Sequence, residues 1–321
     1  MRIAILGASG FVGSAVASAA KAAGHDVVAV PAPRIRSSAR GTQPVIRAAD
    51  ALAADALGAG APAPAGPDAE TPLAGAPEDG GTTAAAPRDH HAELLKDLTG
   101  AEAVINAAGL AAPGSAMTDQ LVGANAVLPA LVARAAAGAG ATRVVHISSA
   151  AVHGDAPVLD PAADPRPNSP YGFAKRWGEQ AFNDAGAGIE AVVYRPTSVH
   201  GPRREVTDML RRLARSPLAS VAAPGDDPTP QVMVDQVAAL ALELATAPQV
   251  PTAPVIHPWE GWTTSSFLQH LAGGKRPLQI PRPLARAVLA TAKTAGRLHP
   301  RAAAQARRLE MLWFGQRQAP A

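Results

Sequence analysis

The chain has 321 residues, with 29 Lys and Arg against 26 Asp and Glu, and no cysteine. This length allows one large α/β domain with a smaller appended region. Aromatic residues make up only 3%, so Ala, Val, Leu and Ile must build the core. The lack of cysteine excludes disulfides and thiolate metal sites, which suits a reducing compartment, and we predict no metal site.

No leader or membrane segment is expected. Glycines interrupt the first apolar run at once, so the start does not resemble a signal peptide. No charge-free stretch approaches the length of a transmembrane helix. We therefore expect a cytoplasmic protein.

A glycine-rich turn follows the first predicted strand. Residues 3–6 form the short apolar run of a buried parallel strand, and Gly7, Gly10 and Gly13 then open a helix. This spacing permits a tight turn, close approach of the backbone to a pyrophosphate, and close helix–strand packing. A second strand at 25–30 completes the spacing of a βαβ unit, which a chance glycine turn would not explain.

The following segment interrupts this pattern. Residues 45–50 predict a third strand that ends in Asp50. Residues 58–87 consist largely of Ala, Pro and Gly, and they cannot bury enough apolar surface to offset their ordering entropy, so we predict a disordered insertion. A helix is predicted at 89–98 and a fourth strand at 103–109.

The strand–helix alternation then resumes. A long Ala-rich helix at 119–137 carries Asn125, and a fifth strand at 143–147 delivers Ser148 and Ser149 at its carboxyl end. Such alternation predicts a Rossmann-like, doubly wound parallel sheet with right-handed crossovers. Ligands of this fold bind beyond the carboxyl ends of the strands.

The next predicted helix carries Tyr171 and Lys175, four residues apart and therefore on one face. An ammonium beside a phenol favours the phenolate, which makes the tyrosine proton transferable. For a Tyr-x-x-x-Lys pair alone, a solvated lysine packed over a tyrosine ring would be the favoured interpretation. Its position downstream of the glycine turn favours the catalytic interpretation. A strand at 189–194 follows.

Beyond residue 195 the pattern loosens into an α+β region. We predict a dinucleotide-binding domain at 1–194 and a smaller substrate-binding cap at 195–321. The helices predicted in this cap lie at 206–215, 234–247, 264–271 and, broken near Pro300, 283–314.

The end of the chain is strongly basic, with ten Lys and Arg after residue 274 against Glu310 alone. Such a tail either faces anionic lipid or forms a solvated helix face with Leu and Ala packed beneath. We favour the solvated face. Nucleic-acid binding is not expected, since no basic groove interleaved with aromatic residues is present.

Taken in this order, the motifs resemble the extended short-chain dehydrogenase/reductases of the NAD-dependent epimerase/dehydratase kind over about residues 1–270, without the insertion. The segments that carry the resemblance are Gly7–Gly13, Asn106–Gly109, Ser148–Gly154, Tyr171–Lys175, Arg195–Pro202 and Val234–Ala238.

The resemblance implies roles for individual residues. Tyr171 would be the general acid/base, Lys175 its partner that also holds the nicotinamide ribose, and Ser149 the hydroxyl that binds the reacting oxygen, with Ser148 as the fallback. Asn125 would complete a proton relay or serve as a buried structural amide. Further cofactor contacts would be Gly7, Ser9, Gly10, Phe11, Val12, Gly13, Asp50, Ala107 and Ala108, and substrate contacts Ser198 and Arg203.

Cofactor choice is the first departure from the family pattern. Pro31 occupies the position where strict NAD users carry an acid, and Arg34 and Arg36 nearby could bind a 2′-phosphate. NADP is therefore favoured over NAD, although Pro31 and Pro33 leave open that the arginines point elsewhere.

Two further departures concern the active site. His153 and His200 stand where the family commonly has tyrosine; we expect surface substitutions, the alternative being pocket histidines that titrate near neutral pH. Ala150 and Ala151 replace the Asp-Glu pair of sugar-nucleotide 4,6-dehydratases. Alanine cannot transfer a proton, so dehydration by that route is disfavoured.

These features predict an NAD(P)-dependent oxidoreductase, with a nucleotide-sugar C4 epimerase or ketoreductase as the leading hypothesis. Arg203 and Arg204 are then candidate phosphate contacts. The first alternative is a reductase of a hydrophobic alcohol, of the 3β-hydroxysteroid or dihydroflavonol type, covered by the C-terminal tail. The second is a catalytically silent nucleotide sensor. The resemblance also implies a homodimer formed by the helices of Asn125 and Tyr171, where the Ala-rich face 130–137 would allow close approach.

Overall fold

Six parallel strands form the centre of the computed structural model, which describes residues 1–37, 89–111, 116–298 and 300–319. In chain order they are β1 (Arg2–Leu6), β2 (Asp26–Val30), β3 (Ala103–Asn106), β4 (Arg143–Ile147), β6 (Glu190–Arg195) and β10 (Val255–Ile256). Their order across the sheet is β10-β6-β4-β3-β1-β2. The predicted Rossmann-like parallel sheet is confirmed; the predicted strand at 45–50, Asp50 and the insertion at 58–87 lie outside the described residues.

Helices cover both faces of this sheet. On one face pack α2 (His90–Leu98), α3 (Asp119–Gly138) and α4 (Pro170–Ala185), and on the other α1 (Phe11–Ala22) and α6 (Val234–Thr246). β1, β3 and β4 are almost continuously apolar because both of their faces are buried. Two elements from beyond residue 195, α6 and β10, thus return to the layers of the sheet.

The helix α3 is apolar and closely packed. By length and composition alone it could cross a membrane, with a mean hydropathy of 1.5 over its most apolar window, but 78% of that window is buried inside the protein. It also carries Asp119 and Arg134. Gly123–Val127 form a π-helical turn within it, and π-turns often occur at functional sites.

A smaller layer sits at the carboxyl edge of the sheet. It contains α5 (Glu205–Arg215), α7 (Thr264–Leu271), α8 (Arg282–Leu298) and α9 (Pro300–Phe314), which match the helices predicted there. The short strands β5 (Val158–Leu159), β7 (Ser198–His200), β8 (Ser220–Ala222), β9 (Gln231–Met233), β11 (Leu278–Ile280) and β12 (Arg317–Gln318) join this layer in three parallel pairs, β5 with β12, β7 with β9, and β8 with β11.

Candidate active site

The glycine turn between β1 and α1 packs backbone segments closer together than a side chain would allow. Gly7 has a φ of +76°, and a Cβ there would lie 2.9 Å from the Ala108 Cα; a Cβ on Gly13 would lie 2.1 Å from the Gly7 carbonyl oxygen. Gly10 caps α1 without a side-chain hydrogen bond, so the first N–H groups of α1 keep no side-chain acceptor. Such a helix N-terminus favours a phosphate.

The other predicted residues of this turn differ in their placement. Val12 lines the central cavity described below, whereas Ser9 is exposed in the turn. Phe11 lies at the start of α1, and the guanidinium carbon of Arg204 stacks 4.9 Å from the centre of its ring.

A second cavity of about 500 Å³ lies beside the loop after β2. Arg34 and Arg36 line it together with Ala108, Gly109 and Leu110. The last three residues also line the central cavity, so the two spaces adjoin. Two guanidinium groups therefore stand next to one end of the site, where they could meet a phosphate.

The central cavity, of about 450 Å³, lies beyond the carboxyl ends of β3, β4 and β6. Ser149, Tyr171 and Lys175 all line it, so the three predicted catalytic side chains share one space. Other sequence-predicted residues in its wall are Val12, Ala107, Ala108, Ser148 and Ser198. Arg203 does not line the cavity, but its neighbour Arg204 does.

Tyr171 sits at the start of α4, which Ser169 caps by accepting a hydrogen bond from the Gly172 N–H at 3.1 Å. Burial raises the pKa of Tyr171, while a hydrogen bond from Ser149 and the charge of Arg204 lower it. Burial is the larger effect, so the phenol is protonated near neutral pH. The sequence indicated Lys175 as the activating cation; in the structure the cation that lowers the pKa of Tyr171 is Arg204.

Lys175 is anchored rather than solvated. Its Nζ donates a hydrogen bond to the Ile147 carbonyl oxygen at 3.1 Å, and the side chain is buried. Burial lowers its pKa to about 8, although Glu179 one turn further along α4 raises it. Burial beside the cavity argues against the interpretation of a solvated lysine over a tyrosine ring.

A buried ion pair, which we call the floor, does not line the cavity but is joined to it through Ser148. Arg195 donates two hydrogen bonds to Glu179, at 2.9 and 2.8 Å, and the two side chains are 2% and 1% exposed. The Ser148 hydroxyl donates to the same carboxylate at 2.6 Å, and Arg195 also donates to His153 Nε2 at 3.1 Å. These contacts fix the strand ends from which Ser149 projects.

The expectation that His153 and His200 are surface substitutions is wrong, because both are buried. His200 Nε2 lies 2.7 Å from Gln231 Oε1, an oxygen that can only accept, so Nε2 carries the proton and donates to it. His200 Nδ1 then accepts from the Thr207 hydroxyl at 3.2 Å, and the Gly201 N–H donates to that hydroxyl oxygen. The Ser198 hydroxyl lies 3.0 Å from the same Nε2 and lines the cavity.

Asn125 braces the loop after β3. Its side chain donates to the Leu110 carbonyl at 2.9 Å and accepts from the Leu110 N–H at 3.1 Å. Both bonds are to backbone, as expected for a structural amide. The amide lies close to Gly109, where an added Cβ would come within 3.1 Å of Lys175 Nζ.

Three residues of the C-terminal tail line the cavity and were missed from the sequence: Arg307, Met311 and Gln316. Gln316 donates to the Ala156 carbonyl, and β12 pairs with β5. These contacts fix residues 307–318, which we call the strap, against the cavity. Arg307 and Met311 lie on one face of α9 at a spacing of four residues. The hypothesis of a hydrophobic substrate predicted that this tail covers the site, but it did not identify these three residues.

The geometry can be compared with known proteins. The model of the NAD dependent epimerase/dehydratase family matches residues 3–226. No curated protein matches the chain in a sequence search.

Several solved structures share the fold. MoeE5 in complex with UDP-glucose and NAD is 22% identical, with coverage of 87% of this chain and 84% of that one and a TM-score of 0.53. A dTDP-4-dehydrorhamnose reductase from Clostridium acetobutylicum is 17% identical, with 88% coverage of each chain and a TM-score of 0.57. UDP-glucuronic acid 4-epimerase from Bacillus cereus, in complex with NAD, is 18% identical over 87% and 86% of the two chains, with a TM-score of 0.56.

Proposed function

This chain belongs to the NAD dependent epimerase/dehydratase family, and we propose that it is an NAD(P)-dependent oxidoreductase of nucleotide sugars, either a C4 epimerase or a ketoreductase. The observation that carries the proposal is that Ser149, Tyr171 and Lys175 line one cavity next to the glycine turn. The similar structures bound to NAD and UDP-sugars add support for this substrate class.

The residues present fit a dinucleotide. A pyrophosphate would lie at the N-terminus of α1, where Gly10 carries no side chain and the first N–H groups have no side-chain acceptor. Ala107 and Ala108 would pass beneath the cofactor, and Lys175 would hold its ribose. Arg34 and Arg36 would favour a 2′-phosphate and hence NADP over NAD. When bound, the nicotinamide supplies the hydride acceptor or donor.

The chain's own residues move the proton. Ser149 would hydrogen bond the reacting sugar oxygen, and Tyr171 would donate its proton to that oxygen in reduction or accept it in oxidation. Because burial raises the pKa of Tyr171, the phenol is ready to act as an acid at neutral pH. Oxidation requires the phenolate, which the positive charge of Arg204 favours.

The cavity lacks groups for removing water from a sugar. Among the described residues that line it, the ionisable ones are Tyr171, Lys175, Arg204 and Arg307, and none is a carboxylate. Ala150 and Ala151 occupy the wall next to Ser149. This composition supports oxidation and reduction of a hydroxyl rather than acid/base elimination.

The proposal is tested with purified protein on a panel of UDP- and dTDP-sugars, with NADP(H) and NAD(H) in separate arms. NMR of the sugar detects epimerisation, and absorbance of the reduced cofactor detects net reduction. Tyr171→Phe should lower turnover by at least about a hundredfold, since a positioned general acid/base contributes that much, while cofactor affinity is retained.

Tyr194→Phe is the matched control. It removes the same hydroxyl from the one other tyrosine, which bonds His257 away from the cavity, and it should retain activity. Absence of turnover across the panel would refute the sugar substrate class. A fully active Tyr171→Phe enzyme would refute the role of Tyr171.

A hydrophobic alcohol or ketone is the second candidate substrate. It is favoured by the apolar residues Leu110, Leu159 and Met311 in the cavity wall. Steroid and flavonoid alcohols in the same assay separate the two: turnover of these alone would replace the sugar hypothesis. Cofactor binding without turnover of either class would instead support a nucleotide sensor.

We also propose a cytoplasmic homodimer. Phe173 of α4 is 41% exposed and packs against Trp177, which gives this helix an apolar outer face. Most of the Ala130–Ala137 stretch is already buried within the chain, so α4 would supply more of the contact than α3. In sedimentation equilibrium the wild type should be a dimer, and Phe173→Ser should weaken it. A monomeric wild type would contradict the proposed dimer.

A further inference from the structure

Two neighbouring arginines after β7 are separated by an unusual backbone conformation. Among the described residues, Arg203 is the one non-glycine residue with a positive φ, +61°. A left-handed conformation costs a residue with a Cβ roughly 1 kcal/mol or more, and such residues cluster at functional sites. The turn leaves Arg203 exposed and puts Arg204 in the wall of the cavity.

In the part of the chain that the structure describes, Arg204 has no acidic partner. Its guanidinium stacks on the Phe11 ring, and no carboxylate within the described part of the chain lies at ion-pair distance from it. The buried Arg143 and Arg195, by contrast, are paired with Glu190 and Glu179. Burying a cation without a counter-charge costs free energy. Arg204 should therefore stabilise a negative charge that forms on a group in the cavity.

Tyr171 is the group in the cavity that can develop this charge. The charge of Arg204 lowers the pKa of Tyr171, and Tyr171 in turn raises the pKa of Arg204, partly offsetting the effect of burial. Arg204 also lowers the pKa of His200, after the larger effect of burial, which keeps that imidazole neutral. The Nζ of Lys175, the other nearby cation, donates a hydrogen bond to the Ile147 carbonyl oxygen.

We propose that Arg204 is a positioning residue of the active site, whose unpaired guanidinium stabilises the phenolate form of Tyr171. The inference rests on the proposed function, in which Tyr171 exchanges a proton with the substrate oxygen. The Arg203 turn and the Phe11 ring hold Arg204 at the cavity wall. Arg204 thereby makes the tyrosine proton easier to transfer.

Other charges near Tyr171 are compensated or fixed. Lys175 is on its own helix and interacts with Glu179 below. Arg307 reaches the cavity from α9, but it is paired with Asp155 at 2.8 Å and with Glu310 at 3.0 Å. His200 is neutral over the ordinary pH range because its pKa is lowered to about 4. Replacing Arg204 should therefore change the field at Tyr171 more than replacing Arg203.

The chain contains only two tyrosines, which permits a direct test without any substrate. Uniform incorporation of 3-fluorotyrosine lowers the intrinsic phenol pKa and gives two ¹⁹F resonances, and Tyr171→Phe identifies which belongs to Tyr171. In Arg204→Gln the titration midpoint of Tyr171 should rise by about one pH unit, as expected for loss of a nearby opposite charge. Arg204→Lys should restore most of it.

Arg203→Gln is the matched control, with the same loss of charge one residue away, and should leave the midpoint unchanged. If Arg204→Gln does not fold, Phe11→Leu removes the ring beneath the guanidinium and should raise the midpoint by a smaller amount. A midpoint that moves in neither variant overturns the proposal, as does an equal shift in Arg203→Gln. A shift in a protein without turnover would support this inference while refuting the proposed function.

Discussion

Buried charges at the floor of the cavity differ from those in its wall. At the floor, Glu179 and Arg195 satisfy each other with two hydrogen bonds and are closed to solvent. In the wall, Lys175 donates to a carbonyl oxygen and lies near Glu179, whereas Arg204 stacks on an aromatic ring. The charges that hold the strand ends together are paired, whereas Arg204 has no carboxylate at ion-pair distance among the described residues.

The largest effect on stability should come from breaking the floor. Glu179→Gln leaves the Arg195 guanidinium buried without its counter-charge, which should lower the free energy of unfolding by about 3–5 kcal/mol. Urea unfolding monitored by circular dichroism measures the loss. Asp26→Asn is the control, since it removes the acid from the Arg2 pair, whose side chains are 48% and 72% exposed, and it should cost about 1 kcal/mol or less. Equal losses in both variants would contradict the distinction between floor and surface.

Removing the Lys175 charge from the cavity wall should instead raise the free energy of unfolding. The pKa of Lys175 falls from 10.5 to about 8 on folding, so between these values the unfolded chain holds more protons than the folded one. The free energy of unfolding of the wild type should therefore rise with pH from about 8 to 10.5. Lys175→Met removes this dependence and should stabilise the protein at pH 7 by on the order of 2 kcal/mol, while turnover is lost.

Thermal unfolding of wild type and Lys175→Met at pH 7 and pH 10 measures the difference in stability, which should be larger at pH 7. Lys21→Met at an exposed position of α1 is the control and should change neither stability nor its pH dependence. A Lys175→Met protein that is less stable than wild type at pH 7 would show that the ammonium is as well compensated as the charges of the floor.

The smallest effect should come from the strap. Arg307 is 28% exposed and pairs with Asp155 and Glu310, so Arg307→Met should change the free energy of unfolding by about 1 kcal/mol or less. Because Arg307 lines the cavity, the KM of the substrate should rise a few-fold with little change in kcat. Arg308→Met, at the exposed neighbouring position, should leave KM unchanged. A large fall in kcat would instead place Arg307 among the groups that act on the reacting atoms.

Features encoded by nearby residues were predicted well from the sequence. The glycine turn, the strand at Arg143–Ile147 with Ser148 and Ser149 after it, and the pairing of Tyr171 with Lys175 on α4 all follow from short-range spacing. Parallel strands deliver their carboxyl ends to one edge, so the sequence also predicted that these side chains lie near each other.

Features that depend on distant packing were not predicted. His200 can be buried because Thr207 and Gln231 supply its hydrogen-bond partners. The residues next to His200 in the sequence do not predict these partners. The left-handed backbone conformation of Arg203 places Arg204, and not Arg203, in the cavity wall.

The sequence by itself determined the fold and identified the candidate side chains that share the cavity, because periodicity, glycine sterics and helical spacing act over a few residues. Only the tertiary structure decided which charges are neutralised. An electrostatic environment is the sum over groups far apart in the chain, and burial sets the strength of each interaction. The same guanidinium group is thus a structural ion pair at Arg195 and an unpaired cation at Arg204.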